Sequence, residues 1–180
     1  MKTIAFLGLG HMGLPMAANL VKAGYAVRGY DLAEACRAAA KEAGIPVAAN
    51  SAEAVNAADV VITMLPKGEH VVSVYDDLTS KISAGTLLID CSTVDMASAL
   101  KAHELAASAG CPSVDAPVSG GTGGAAAGTL TFMCGGEAEA FSAAKPRLEA
   151  MGNKIVYCGS GGNWQAAKSC NYMILGSSMI

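Results

Sequence analysis

Lys2-Thr3-Ile4-Ala5-Phe6-Leu7 is an apolar run of strand length, and Gly8-Leu9-Gly10-His11-Met12-Gly13 follows it directly. A helical pattern then starts at Leu14-Pro15-Met16-Ala17-Ala18-Asn19-Leu20. Strand, G-x-G-x-x-G turn and helix in that order constrain the chain more than any other feature, because this arrangement opens a dinucleotide-binding βαβ unit. Gly8 permits the tight turn, Gly10 lets the backbone approach a pyrophosphate, and Gly13 lets helix pack closely on strand. Leu9, His11 and Met12 complete the turn, and the helix N-terminus offers free N–H groups and a positive dipole end to an anion. Pro15 suits a first helical turn, where its missing N–H costs nothing.

A second apolar run, Ala26-Val27-Arg28-Gly29-Tyr30, ends in Asp31. That acid stands close to the spacing of about 20 residues at which a carboxylate accepts hydrogen bonds from an adenosine ribose. It would repel a 2′-phosphate, which favours NAD over NADP. Arg28 precedes it on the strand and is poorly placed to receive such a phosphate. Asp31 also suits an N-cap for the segment after it, and the two roles are compatible. Methyltransferases use similar strand–glycine-loop–helix units, so the element alone does not name its ligand.

The chain has 180 residues, 52% of them apolar and 15% charged, enough to bury a sizeable core and too little charged for disorder. A net charge of −3 with no basic run argues against nucleic acid and anionic membrane as partners. The first apolar stretch is a strand broken by glycines rather than a signal peptide, and no apolar stretch is long enough to span a bilayer. Six cysteines (Cys36, Cys91, Cys111, Cys134, Cys158 and Cys170) form no C-x-x-C pair. With His11, His70 and His103 scattered as well, no metal site is expected, and free thiols point to a reducing cytoplasm.

Strand and helix signals alternate. Helical patterns at 34–43, around 71–75, at 96–109 and at 138–151 separate apolar runs near Val47 and at 60–65, 86–90, 113–118, 129–134 and 154–158. Ser51 reads as the cap of a short helical turn. The expected fold is an α/β, doubly wound parallel sheet of Rossmann type, with the 8–13 turn central and the 60–65 run beside 4–7. Ligands of such sheets bind at the carboxyl ends of the strands.

Those ends carry Leu65-Pro66, Asp90-Cys91-Ser92-Thr93 and Asp115-Ala116-Pro117-Val118-Ser119-Gly120-Gly121. Thr93 suits a cofactor ribose or amide, or alternatively a helix N-cap. The Ser119-Gly120-Gly121 turn can present successive N–H groups to a carboxylate, or be a loop of small residues running on to Gly128. No Lys or Arg lies between Lys101 and Lys145, so a phosphorylated substrate would find no local cation. Farther on, an apolar helical pattern contains Lys168 as its one charge over residues 159–175. Desolvation would lower its pKa towards that of a proton donor and acceptor at neutral pH, unless it lies on a wet edge of the helix.

Three motifs in this order resemble the β-hydroxyacid dehydrogenase family: the 8–17 turn and helix start, the 115–121 segment, and Ala166-Ala167-Lys168-Ser169-Cys170-Asn171. Leu130-Thr131-Phe132-Met133, Cys170-Asn171 and Ser178-Met179-Ile180 look most like its 3-hydroxyisobutyrate-oxidising branch. The resemblance implies NAD-dependent oxidation of a primary alcohol to a semialdehyde, with Lys168 taking the hydroxyl proton and Asn171 orienting substrate or lysine. Ser119, Gly120 and Gly121 would grip the carboxylate, while Leu65, Pro66, His70 and Thr93 would line the cofactor site. Many members carry a second Asn where this chain has Tyr172, which leaves the role of Asn171 open.

The family continues into an all-helical second domain that closes the substrate site and supplies the subunit interface. The expectation is therefore an NAD-binding domain over 1–160 and a truncated interdomain helix over 161–180, homo-oligomeric when full length. Alone, these residues are expected to bind NAD weakly and turn over little. The alternatives are a tartronate semialdehyde reductase with the same lysine and Ser-Gly-Gly logic, or an NAD-binding module without turnover.

Overall fold

The computed structural model describes residues 2–161. Lys168 and Asn171, and the helix expected to carry them, lie outside the described residues. In chain order the elements are β1 (Thr3–Leu7), α1 (Gly13–Lys22), β2 (Ala26–Tyr30), α2 (Glu34–Glu42), α3 (Ser51–Val55), β3 (Val60–Thr63), α4 (Gly68–Thr79) and β4 (Leu87–Asp90). Then follow α5 (Met96–Ser108), β5 (Ser113–Asp115), β6 (Val118–Ser119), α6 (Gly121–Ala127), β7 (Leu130–Gly136), α7 (Ala138–Glu149) and β8 (Gly152–Tyr157).

Alternate residues of the central strands feed two cores, one on each sheet face. Ile4, Phe6, Ile62 and Ile89 pack with Met16 and Leu20 of α1 and Leu148 of α7. Ala5, Leu7, Val61 and Leu88 pack on the other face with Val71, Tyr75 and Leu78 of α4 and Ala99 and Ala102 of α5. Strands covered on both faces have no polar side to show, which is why they read as unbroken apolar runs.

The strands β2, β1, β3, β4 and β5 lie side by side and parallel. The neighbouring of β1 and β3 agrees with expectation, Ile4 pairing with Val60 and Leu7 with Thr63. The Val47 strand shrinks to a single parallel bridge with Gly29. The cap of α3 is Asn50, not Ser51: its side chain accepts from the Glu53 amide at 2.8 Å, while the Glu53 carboxylate accepts from Ala49 at 2.8 Å.

The sheet is not wholly parallel. β7 runs antiparallel to β5 and β6, then parallel to β8. The short connection from Ser119 to Leu130 cannot make the crossover of a dozen or more residues that a parallel neighbour needs. Pro117 has no amide to donate and splits the expected 113–118 strand into β5 and β6. The glycine- and alanine-rich stretch after Gly120 is the helix α6 rather than a loop, closed by Gly128 at φ +67°. Ala125 is buried in it, and the Asn19 amide of α1 donates to the Ala125 carbonyl at 2.7 Å. Replacing Asn19 with Ala deletes that buried bond. A thermal unfolding curve should show a loss of about 1–3 kcal/mol.

Candidate functional site

The exit of β1 is built by close backbone contact. Gly8 takes φ +96°, and a Cβ there would stand 2.2 Å from the Met64 carbonyl oxygen. A Cβ on Gly13 would stand 1.8 Å from the Gly8 carbonyl oxygen, so the turn folds directly against the first residue of α1. Gly10 differs, since a Cβ there meets no atom within 4 Å. The fold itself therefore explains Gly8 and Gly13, whereas a bare Gly10 matters only to something occupying the space beside it. Leu9 is 1% exposed and belongs to the core, so only its backbone reaches the turn's outer surface.

Asp31 ties this turn to the end of β2. One carboxylate oxygen accepts from the Leu9 amide at 2.7 Å and the other from the Ala33 amide at 2.8 Å. The cap position of α2 is Ala33, so Asp31 acts as clamp and local turn-former rather than as the cap itself. Each oxygen keeps a second lone pair for a ligand hydroxyl. Arg37 donates to the carbonyls of Asp31 and Leu32 at 2.7 and 2.8 Å, which fixes the acid's backbone. Arg28 points to the Glu53 and Asn56 carbonyls.

A cleft of about 660 Å³ opens at these carboxyl ends. Gly8, Gly10, His11, Met12, Gly13, Asp31, Leu65, Pro66 and His70 all line it, which brings together most of the cofactor-site residues expected from sequence. Thr93 is not among the lining residues; it is exposed on the β4–α5 connection. Ser119, Gly120 and Gly121 are exposed at the start of α6, farther along the same carboxyl edge. Sequence reasoning missed Leu32, 86% exposed beside Asp31, and the wall formed by Ser73, Val74 and Asp77 of α4. That wall was available from His70, because 70, 73, 74 and 77 share one helical face. The opposite face, Val71, Tyr75 and Leu78, is core.

Beneath the cleft lies a buried polar cluster. Asp90, 3% exposed, accepts at one carboxylate oxygen from the Thr63 hydroxyl (2.8 Å), the Ser92 hydroxyl (2.5 Å) and the Ser92 amide (3.1 Å). The Ser92 hydroxyl accepts from the Leu65 amide at 2.8 Å. Tyr75 of α4 stands beside Thr63. Asp115 is the cross-strand neighbour of Asp90, and His103 bridges Asp115 and the Ser113 hydroxyl at 2.6 Å each. Burial raises the Asp90 carboxyl above its ordinary value against the pull of these hydrogen bonds, and raises the Tyr75 hydroxyl further. The N-cap of α5 is Asp95, which accepts from the Ser98 amide at 2.9 Å, so neither Ser92 nor Thr93 caps that helix.

Among the described residues no group of three or more His, Cys, Asp and Glu side chains is placed to hold a metal ion, and no helix is long and apolar enough to cross a membrane. Burial pushes the Cys134 thiol up to about 12 and the Cys91 thiol well above its ordinary value, so neither supplies a thiolate nucleophile.

Residues 3–159 match the family described as the NAD binding domain of 6-phosphogluconate dehydrogenase. The chain belongs to this family. The matched residues accordingly form an NAD-binding domain. The chain is 51% identical to an NAD-dependent L-serine dehydrogenase of Pseudomonas aeruginosa, covering 100% of this chain and 61% of that protein. It is 50% identical to the 3-hydroxyisobutyrate dehydrogenase of the same organism, covering 99% and 61%. A solved structure of Mycobacterium tuberculosis 3-hydroxyisobutyrate dehydrogenase with L-serine superposes with a TM-score of 0.94 at 52% identity, over 97% of this chain and 60% of that one. The chain thus spans about three fifths of the length of these relatives.

Two measurements follow from the glycines and the buried acid. Gly13→Ala should lower the unfolding temperature, since overpacking typically costs about 1–3 kcal/mol. Gly10→Ala should unfold like the wild type yet bind NAD at least about tenfold more weakly in calorimetry. For Asp90 the raised carboxyl means that the folded state holds its proton more tightly than the unfolded chain. Its contribution to stability is present below the unfolded value near 3.9 and is lost as pH rises through the folded value. The stability of Asp90→Asn relative to wild type should therefore climb across that interval and then level, as read by thermal unfolding against pH.

Proposed function

We propose that the protein carrying this chain oxidises 3-hydroxyisobutyrate, or a close 3-hydroxy acid, to its semialdehyde with NAD. The observation that carries the reading is the cleft itself: a turn whose Gly10 is left bare by the fold, beside a clamped Asp31, in a chain half identical to dehydrogenases of 3-hydroxy acids. NAD supplies the acceptor for the hydride that leaves carbon 3. The chain's own groups do the rest. Backbone amides at 8–13 and the start of α1 hold the pyrophosphate, and Asp31 receives the ribose hydroxyls while rejecting a 2′-phosphate. Leu65, Pro66 and His70 wall the cofactor, and Thr93 supports it from the β4 exit.

On the substrate side, the amides and hydroxyl of Ser119-Gly120-Gly121 hold the carboxylate. Lys168 removes the proton of the C3 hydroxyl as the C–H bond breaks, returning it in the reverse direction, and Asn171 orients substrate or lysine. Two relatives are named for 3-hydroxyisobutyrate and one for L-serine, and these acids differ at carbon 2, methyl against ammonium. L-Serine is accordingly the second substrate to test, ahead of tartronate semialdehyde.

A panel of 3-hydroxyisobutyrate, L-serine and tartronate semialdehyde, each with NAD and NADP forms, decides the substrate. Preference for an NADP form, or no turnover of any 3-hydroxy acid, would overturn the reading. Lys168→Ala should reduce kcat by about 10²–10⁴-fold with NAD binding retained. Lys168→Arg should not restore it, because a guanidinium stays protonated.

A further inference from the structure

The β-ladder holds the β3 exit only as far as Met64, whose amide donates to the Leu7 carbonyl at 2.9 Å. Leu65 is the first residue past that support and lines the NAD cleft. Its amide is held by one side chain, the Ser92 hydroxyl, at 2.8 Å. We propose that Ser92, fixed from below by Asp90, is a positioning residue for NAD: it sets the Leu65-Pro66 wall against the glycine turn without touching the cofactor.

Three features argue for this. The Ser92 hydroxyl has a single orientation available, because it donates to Asp90 at 2.5 Å and so must accept from Leu65. Asp90 cannot drift, since the Thr63 hydroxyl and the Ser92 amide also grip the same oxygen and the residue is 3% exposed. The wall stands where tolerance is smallest, because the Met64 carbonyl lies 2.2 Å from the position a Gly8 Cβ would take. Through Thr63 the same cluster reaches Tyr75 on the core side of α4, whose other face is the cleft wall of His70, Ser73, Val74 and Asp77. Two walls of one site thus rest on one buried carboxylate. Three donors converging on one oxygen of Asp90 offset part of the cost of desolvating that carboxylate.

The proposal rests on NAD occupying this cleft and not on the identity of the substrate. Ser92→Ala in the whole protein should weaken NAD binding about 3- to 10-fold in calorimetry, the range expected when one neutral hydrogen bond is lost. Ser92→Thr, which keeps the hydroxyl, should bind within about twofold of wild type. Should the alanine variant not fold, Ser92→Cys keeps the volume with only a weak acceptor and should show a loss in the same direction. Ser113→Ala, which cuts the His103 arm of the cluster, serves as control: it should lower the unfolding temperature and leave NAD affinity unchanged. Wild-type NAD affinity in Ser92→Ala or Ser92→Cys overturns the proposal, as does an equal loss in Ser113→Ala. Failure of the wild type itself to bind NAD would instead overturn the assignment of the cleft.

Discussion

β1 is buried on both faces and hydrogen-bonded along both edges, to β2 and to β3. A strand so enclosed leaves its chain one way out, through its carboxyl end. The exit has to clear the Met64 backbone on one side and begin α1 on the other. Only residues without a Cβ at 8 and 13 allow both. The close approach of strand, turn and helix then leaves backbone amides as the surface that faces the cleft. The site is in this sense what remains once the central strand is fully packed. Asp31 adds the second anchor by tying the turn's Leu9 amide to the end of β2, which joins two sides of the cleft.

Much of this was legible in the chain. The parallel strands announce themselves as apolar runs because both faces are covered, and the 8–13 turn and Asp31 fall at spacings that follow from βαβ geometry. Departures cluster after β5. α6 is invisible to propensity, since Gly121, Gly123 and Gly124 oppose a helix by about 1 kcal/mol each. What holds it is tertiary: Ala125 in the core, Asn19 on its carbonyl and Gly128 at its end. The reversal of β7 was likewise set by connection length rather than by any residue of β7. Sequence places Asp90, Ser92 and Asp115 at strand ends, but their meeting with Thr63, Tyr75 and His103 was not legible, because it requires three strands and two helices to be in register.

The two halves of the proposed chemistry stand on different kinds of support. The cofactor half rests on rigid contacts between adjacent parallel strands. On the substrate side, Ser119-Gly120-Gly121 sits at a strand broken by Pro117 and opens a short helix, where Gly120 at φ +135° and Gly121 at φ +61° hold conformations closed to most residues. Their placement depends on β6 pairing with β7, Val118 opposite Phe132 and Ser119 opposite Thr131. The Ser119–Gly121 turn is therefore positioned by the antiparallel part of the sheet and the glycine turn by the parallel part, with Asp115 at the junction between them.

Charge in the cleft is arranged by backbone more than by side chains. None of its lining residues is Lys or Arg, and no acid occupies the first turn of α1 to oppose an incoming phosphate. A dinucleotide pyrophosphate would thus be held by oriented amides and the helix dipole, which are fixed by the fold and pay no rotamer entropy on binding. Asp77 is drawn away by Lys81, just past the end of α4, and Asp31 is committed to two amides, so the acids on the rim are structured before a ligand arrives. That arrangement makes selectivity depend on where Asp31 stands. Arg37 fixes this position by gripping the successive carbonyls of Asp31 and Leu32, which engages this cation with backbone. In the proposed site an acid and not a guanidinium would therefore face the ribose 2′ position, which is the physical reason to expect NAD rather than NADP there.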